Sequence, residues 1–215
     1  LQLGRFGWKS NQSSIRQQTA AAFLGDMGLT SSLFPIENCP APQALCQSAP
    51  SGGSPEVDEK QLARVTTYTQ LLAVPIRRNS QDPDVLQGEK IFLELKCQKC
   101  HQPSFTTSET APYEVLRRQK IFPYSDFLLH DLGMDLADHR PDGQANGREW
   151  RTQPLWGIGL IPVVNGHQNL LHDARARNVE EAILWHGGEA EKSRDSFKFL
   201  NKSDREAVVK FVNSL

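Results

Sequence analysis

The sequence predicts an all-α protein. Apolar residues recur at helical intervals in several segments, Gly and Pro punctuate the stretches between them, and no two segments alternate convincingly enough to pair as strands. The 215 residues suffice for one large domain or two small ones with a real core. Apolar residues make up 38% and charged residues 23%, the balance of a folded chain and not of a disordered one.

The first 38 residues open with Gly4, Phe6, Gly7 and Trp8. Ile15, Thr19, Ala22 and Phe23 then fall on one face, predicting a weakly amphipathic helix from Ser13 to Leu24 that ends at Gly25. Residues 39 to 56 are rich in Pro, Ser and Gly and read as a loop. From Asp58 to Ala73, Leu62, Val65, Tyr68, Leu71 and Leu72 recur every three or four positions until Pro75, which predicts a second helix. The polar run Arg77 to Asp84 reads as a linker, so a domain boundary is expected at residue 80, dividing 1–80 from 81–215.

The second part opens with an expected helix from Val85 to Cys97 that buries Ile91, Phe92 and Leu95. It closes with one from Ser203 to Leu215, where Ser203 and Glu206 suit a capping box and Val208, Phe211, Val212 and Leu215 line one face. Between them lie a helix at Val179 to His186, stopped by Gly187-Gly188, and much loop. The charged run Glu189 to Asp195 reads as solvated surface. Leu-Leu-His-Asp occurs at 128–131 and 170–173 with unlike flanks, so it marks no domain repeat.

Charge excludes some functions. Lys plus Arg (24) nearly match Asp plus Glu (25), which leaves no long-range field for nucleic acid or an anionic membrane. No window approaches the roughly 18 apolar residues of a membrane span, and the start, Leu1, suggests a processed or excised chain whose lack of a signal segment says nothing about its compartment.

The run Cys97-Gln98-Lys99-Cys100-His101 has the C-x-x-C-H spacing of covalent haem attachment. Thiols three apart on a helical turn project to one side, where each can add to a haem vinyl group, and the next residue supplies an imidazole to the iron. A zinc site would need a second ligand pair at comparable spacing, which Cys39 and Cys46 do not provide. A thioredoxin-like C-x-x-C follows a strand and opens a helix, whereas this one ends a helix. Gly88 and Phe92 precede Cys97 on one helix face, so the last helix can cross closely above them. A helix leading into C-x-x-C-H and crossed by a C-terminal helix resembles the cytochrome c fold, with loop-rich insertions here and a helical segment of an upstream domain ahead of it.

Longer stretches resemble the bacterial di-haem oxidoreductases, often labelled thiol oxidoreductases, which are relatives of the di-haem cytochrome c peroxidases and MauG. The matching segments are Gly4-Arg5-Phe6-Gly7-Trp8-Lys9, Gly25-Asp26-Met27-Gly28, Phe122-Pro123-Tyr124-Ser125-Asp126, Gly147-Arg148-Glu149-Trp150-Arg151-Thr152, and His172-Asp173-Ala174-Arg175-Ala176 leading to Glu180-Glu181-Ala182-Ile183-Leu184-Trp185-His186-Gly187-Gly188. Full-length members have two cytochrome c-like domains, each with its own C-x-x-C-H. The resemblance therefore implies that residues 1–80 end a first domain and that another haem lies upstream. Two departures stand out: His130-Asp131-Leu132-Gly133-Met134 where members read His-Asp-Met-Gly, and His172-Asp173-Ala174-Arg175 where they read His-Asp-Gly-Arg.

The second axial ligand decides the chemistry, since electron-transfer haems fill both axial positions and reactive ones keep a face open. Met134, 33 positions after His101 in a Gly-containing loop, is the first candidate. His130, His172, Met27 or an open face remain alternatives. The resemblance places Arg148, Arg151, Trp150 and Trp156 around the haem, with an arginine pairing a propionate and a tryptophan walling off the ring edge. Cys39 and Cys46 are expected to form a disulfide, because haem c proteins mature where disulfides persist. The expectation is a periplasmic electron-transfer domain with one covalent haem c and a redox partner protein. The alternative is the electron-supplying part of a peroxidase-like di-haem oxidoreductase whose catalytic haem lies elsewhere.

Overall fold

The computed structural model describes residues 2–215 and divides into two compact units, one up to Ala73 and the other Val74–Leu215. The second unit thus takes in Arg77 and Arg78, which the sequence assigns to a linker. Arg77 pairs with Glu89 at 2.9 Å, and the Arg78 N–H donates to the Ser214 carbonyl at 2.7 Å.

In the first unit, helix α1 spans Ile15–Met27, with the Ser14 hydroxyl accepting from the Gln17 N–H. It runs through Gly25, the expected stop, and ends instead at Gly28. A mid-helix glycine costs only about 1 kcal/mol. Gly28 takes φ 69°, and the turn there returns N–H groups to the Leu24 and Phe23 carbonyls. The Cys39–Cys46 disulfide forms as expected, and a one-turn helix, α2 (Ala44–Ser48), lies within the segment read as loop. Helix α3, Glu59–Leu71, starts at a reciprocal box between Asp58 and Gln61. It packs on α1 around Ala20, Val57 and Leu62, with Phe23, Leu29 and Phe34 closing the cluster. Of the stripe expected to be buried on α3, only Leu62 is; Val65, Tyr68, Leu71 and Leu72 are exposed.

In the second unit, α4 spans Pro83–Glu94, with Asp82 as cap and Pro83 in the first turn, where its missing N–H costs nothing. The last helix crosses it through the Phe92–Phe211 contact, ring centres 5.3 Å apart, and buries Val85, Phe92, Val208, Phe211 and Val212. That helix, Lys202–Ser214, is capped by Asn201, not by a Ser203–Glu206 box: Asn201 Oδ1 accepts from the Asp204 N–H at 3.0 Å, so the cap lies two residues earlier than expected.

The expectation of an all-α fold holds only as a mainly helical one. Two short antiparallel ladders are present, β1 (Phe105–Thr106) with β2 (Lys120–Ile121) and β3 (Leu129–Asp131) with β4 (Glu149–Arg151). Strands of two or three residues carry no legible alternation, and their partners lie far apart in sequence. Helices α5 (Ile161–Asn165) and α6 (Val179–Trp185) follow, then α7 (Glu191–Lys198) and the final α8 just described. Helix α7 occupies the charged run read as mere surface; buried Phe197 anchors it to Ile91, Leu95 and Val208 while its other faces stay solvated.

Candidate functional site

The end of α4 places the thiols. Leu95 closes the helix, Lys96 turns the chain at φ 66°, and Cys97–Lys99 forms a single 3-10 turn, with the Cys100 and His101 N–H groups returning to the Cys97 carbonyl. Both thiols are free and half-buried. Burial pushes Cys97 up to about 12; burial, then Asp126 and Glu189, pushes Cys100 up to about 11. Neutral thiols of this kind are poor nucleophiles toward disulfides, which argues against a thiol-exchange site.

The residue after them is held by a distant loop. The His101 Nδ1 lies 3.0 Å from the Tyr124 carbonyl, and the loop is tied back by the Ser125 N–H to Gln102 O (2.9 Å) and the Asp126 N–H to Cys100 O (2.7 Å). A second histidine, His186, meets it from the end of α6. The two ring centres are 6.4 Å apart with planes inclined by 50°, and the His186 Nδ1 lies 2.7 Å from the Ala182 carbonyl. Each ring therefore carries its proton on Nδ1, which leaves Nε2 as the ligating nitrogen. Burial, then His186, lowers His101 to about 4, and burial lowers His186 as well, so both imidazoles are neutral, the state a metal requires.

The donor set, two neutral, half-buried imidazoles and two free thiols, is chemically suited to holding a haem and its iron.

The glycines after His186 hold it in place. A Cβ on Gly188 would sit 2.2 Å from the Asp131 carbonyl oxygen, and one on Gly187 would sit 2.8 Å from that of Leu132. The backbone of the β3 end thus packs directly on the turn that follows the histidine. The sequence predicts Gly187-Gly188 as a helix terminator; in the structure the close approach that these glycines permit also locates His186.

The other candidates fall out as follows. Met134 lies in a 3-10 turn and is 62% exposed. Met27, in the first unit, is also exposed. His130 has both ring nitrogens engaged, Nε2 with Asp126 and Nδ1 with Glu189, each at 2.9 Å, which leaves no lone pair for iron. His172 stacks face to face on Trp150 at 3.6 Å, whose indole N–H donates to the Leu136 carbonyl. Arg151, on β4, is half-buried and donates to Gln153 Oε1 at 2.6 Å; burial lowers its affinity for a proton. Its neighbour Thr152 accepts from the Ser125 hydroxyl, and Leu155 N–H donates to Pro123 O, so Arg151 and half-buried Trp156 flank the loop that orients His101. Arg148 instead pairs with Asp131 at 3.1 Å.

The two histidines lie beyond the end of a helix that the C-terminal helix crosses. The family model "Di-haem oxidoreductase, putative peroxidase" matches residues 1–215, so the chain belongs to the di-haem oxidoreductase family. A search of curated proteins returned no match. Among solved structures, the chain is similar to a chain of Kuenenia stuttgartiensis hydrazine synthase pressurised with xenon, at 17% identity and a TM-score of 0.48, over 73% of this chain and 55% of that one. This chain thus spans about half the length of that relative.

Proposed function

We propose that the second unit is a c-type cytochrome domain that transfers single electrons through one covalent haem c, which Cys97 and Cys100 would bind through thioether links and whose iron His101 and His186 would hold. The haem would supply a one-electron couple. The chain's own residues do the rest. The carbonyls of Tyr124 and Ala182 fix both imidazole tautomers, the packing around Phe92 and Tyr124 limits water, and Arg151 and Trp156 would line a propionate and a ring edge. The observation that carries this reading is the pair of half-buried, neutral imidazoles whose ring centres lie 6.4 Å apart. Two imidazoles holding the iron would leave peroxide no place to bind it, which favours electron transfer over catalysis at this haem. A disulfide in the same chain as a haem c motif supports a periplasmic location.

His186 replaces Met134 as the proposed second ligand. With haem-attachment machinery present, intact mass and a pyridine haemochrome spectrum are expected to give one covalent haem. The ferric spectrum is expected to be low-spin and free of a sulfur-to-iron band. His186→Ala should turn it high-spin, whereas Met134→Ala should leave it unchanged. A low-spin spectrum surviving in His186→Ala overturns the assignment.

The family is di-haem and this sequence has one C-x-x-C-H, so the second haem would be carried by another stretch of polypeptide. Exposed Val65, Tyr68, Leu71 and Leu72 on α3 offer a helix face suited to such a neighbour. In that arrangement this domain would pass electrons to the other haem.

A further inference from the structure

Three side chains remote from the iron site converge on the loop that orients His101. The Arg77 guanidinium donates to Glu89 Oε2 at 2.9 Å, and the Tyr124 hydroxyl donates to the other oxygen, Oε1, at 2.8 Å. Tyr124 is buried, with its ring edge-on to Phe92 (6.1 Å) and Phe211 (5.5 Å), and Arg77 lies 5.1 Å over the Phe211 ring. Its backbone stands at φ 49°, a left-handed conformation that a non-glycine residue keeps only when its surroundings enforce it. That conformation presents the Tyr124 carbonyl to His101 Nδ1. One end of Tyr124 is therefore anchored to α4 through Glu89, and the other touches the proximal imidazole.

We propose that Arg77, Glu89 and Tyr124 form a brace that sets the strength and direction of the Tyr124 carbonyl's hydrogen bond to His101, and through it the reduction potential of the haem. The inference rests on the haem reading above. A hydrogen bond from Nδ1–H to a carbonyl raises the basicity of the ligating nitrogen, and a more basic ligand favours the oxidised iron. Without the anchor, Tyr124 can relax from its left-handed conformation, the bond lengthens, and the couple becomes easier to reduce. Tyr124, Glu89 and Arg77 are positioning residues, since none of them touches the iron.

The test uses the haem-loaded protein and compares wild type with Tyr124→Phe, Glu89→Ala and Glu89→Gln, reading the reduction potential and the low-spin EPR g-values. Tyr124→Phe and Glu89→Ala are expected to shift the couple positive by a factor of about three to ten in equilibrium constant, about 30 to 59 mV for one electron. Both should also move the g-values. Glu89→Gln retains an acceptor for the phenol and should restore the wild-type g-values, although loss of the charge still raises the potential. Glu89 is partly exposed, so its variants carry the test if Tyr124→Phe does not fold. Lower thermal stability with unchanged potential and g-values makes the brace merely structural and overturns the proposal, as does the same g-shift in Glu89→Gln as in Glu89→Ala. Wild-type protein that binds no covalent haem would show up before any variant is compared, and it sinks the haem reading itself.

Discussion

Gly88→Ala probes the contact that holds the haem-bearing helix in place. A Cβ built on Gly88 lies 2.0 Å from the Ala207 carbonyl oxygen and 2.8 Å from Phe211 Cβ. An ordinary carbon-to-oxygen contact is about 3.3 Å, so α4 and α8 must part by about 1.3 Å. The obstacle is backbone, which cannot swing aside, and a gap near 1 Å already forfeits up to about half of each dispersion contact along the seam. Overpacking of this kind costs about 3 kcal/mol at its upper end, and replacing a helical glycine with alanine returns about 1 kcal/mol of propensity. The expected net loss is about 2 kcal/mol, or a fall in Tm of about 4 to 8 °C. Urea unfolding followed by circular dichroism measures it. Gly25→Ala is the control: it is also mid-helix, but an added Cβ there meets nothing within 4 Å, so it should be neutral or stabilising by up to about 1 kcal/mol. Wild-type stability in Gly88→Ala, or equal loss in both variants, would refute the reasoning.

Other outcomes follow from single contacts. Burial opposes the charging of His130, but its hydrogen bonds to Glu189 and Asp126 prevail and its pKa is raised. The stabilisation it gives is therefore complete below the unfolded value of about 6.5 and is lost as pH rises through the higher folded value. The stability gap between wild type and His130→Asn should shrink as pH rises above about 6.5; a gap independent of pH would contradict this. The Cys39–Cys46 bridge closes a loop with a separation of 7, so replacing both cysteines with serine should destabilise the first unit by about 2 kcal/mol, measurable by denaturant unfolding. Gly188→Ala should weaken retention of the low-spin haem spectrum on mild heating, because its methyl would collide with the Asp131 carbonyl and displace the turn that carries His186.

What the sequence disclosed tracks how local the physics is. The Cys97 to His101 spacing is a property of one turn, so it is legible without a fold, whereas the capping box of Asp58 and Gln61, equally local, was not read and one was expected at Ser203 and Glu206 instead. Helices α4 and α8 announce themselves by periodicity, and the role of Gly88 follows once they are expected to cross. The misses depend on distance or brevity. Ladder partners such as Leu129 and Arg151 lie 22 positions apart on strands of three residues. Helix α7 rests on one buried aromatic, Phe197, too few for a pattern. The stripe on α3 has the right period but no neighbour within this chain covers most of it. His186 was missed for another reason: its importance comes from its position opposite His101, 85 positions away, which no local signal records. Met134 looked better because a flexible loop in sequence can be imagined anywhere.

The two carbonyls that hold the imidazoles come from parts of the molecule with little freedom. Ala182 is buried in α6, and Tyr124 is wedged among aromatic rings with its hydroxyl anchored. An iron between such ligands would change oxidation state with almost no movement of its surroundings, so the reorganisation energy that slows electron hopping would be small. The tempo of transfer would then be set by how near a donor or acceptor can bring its own redox centre.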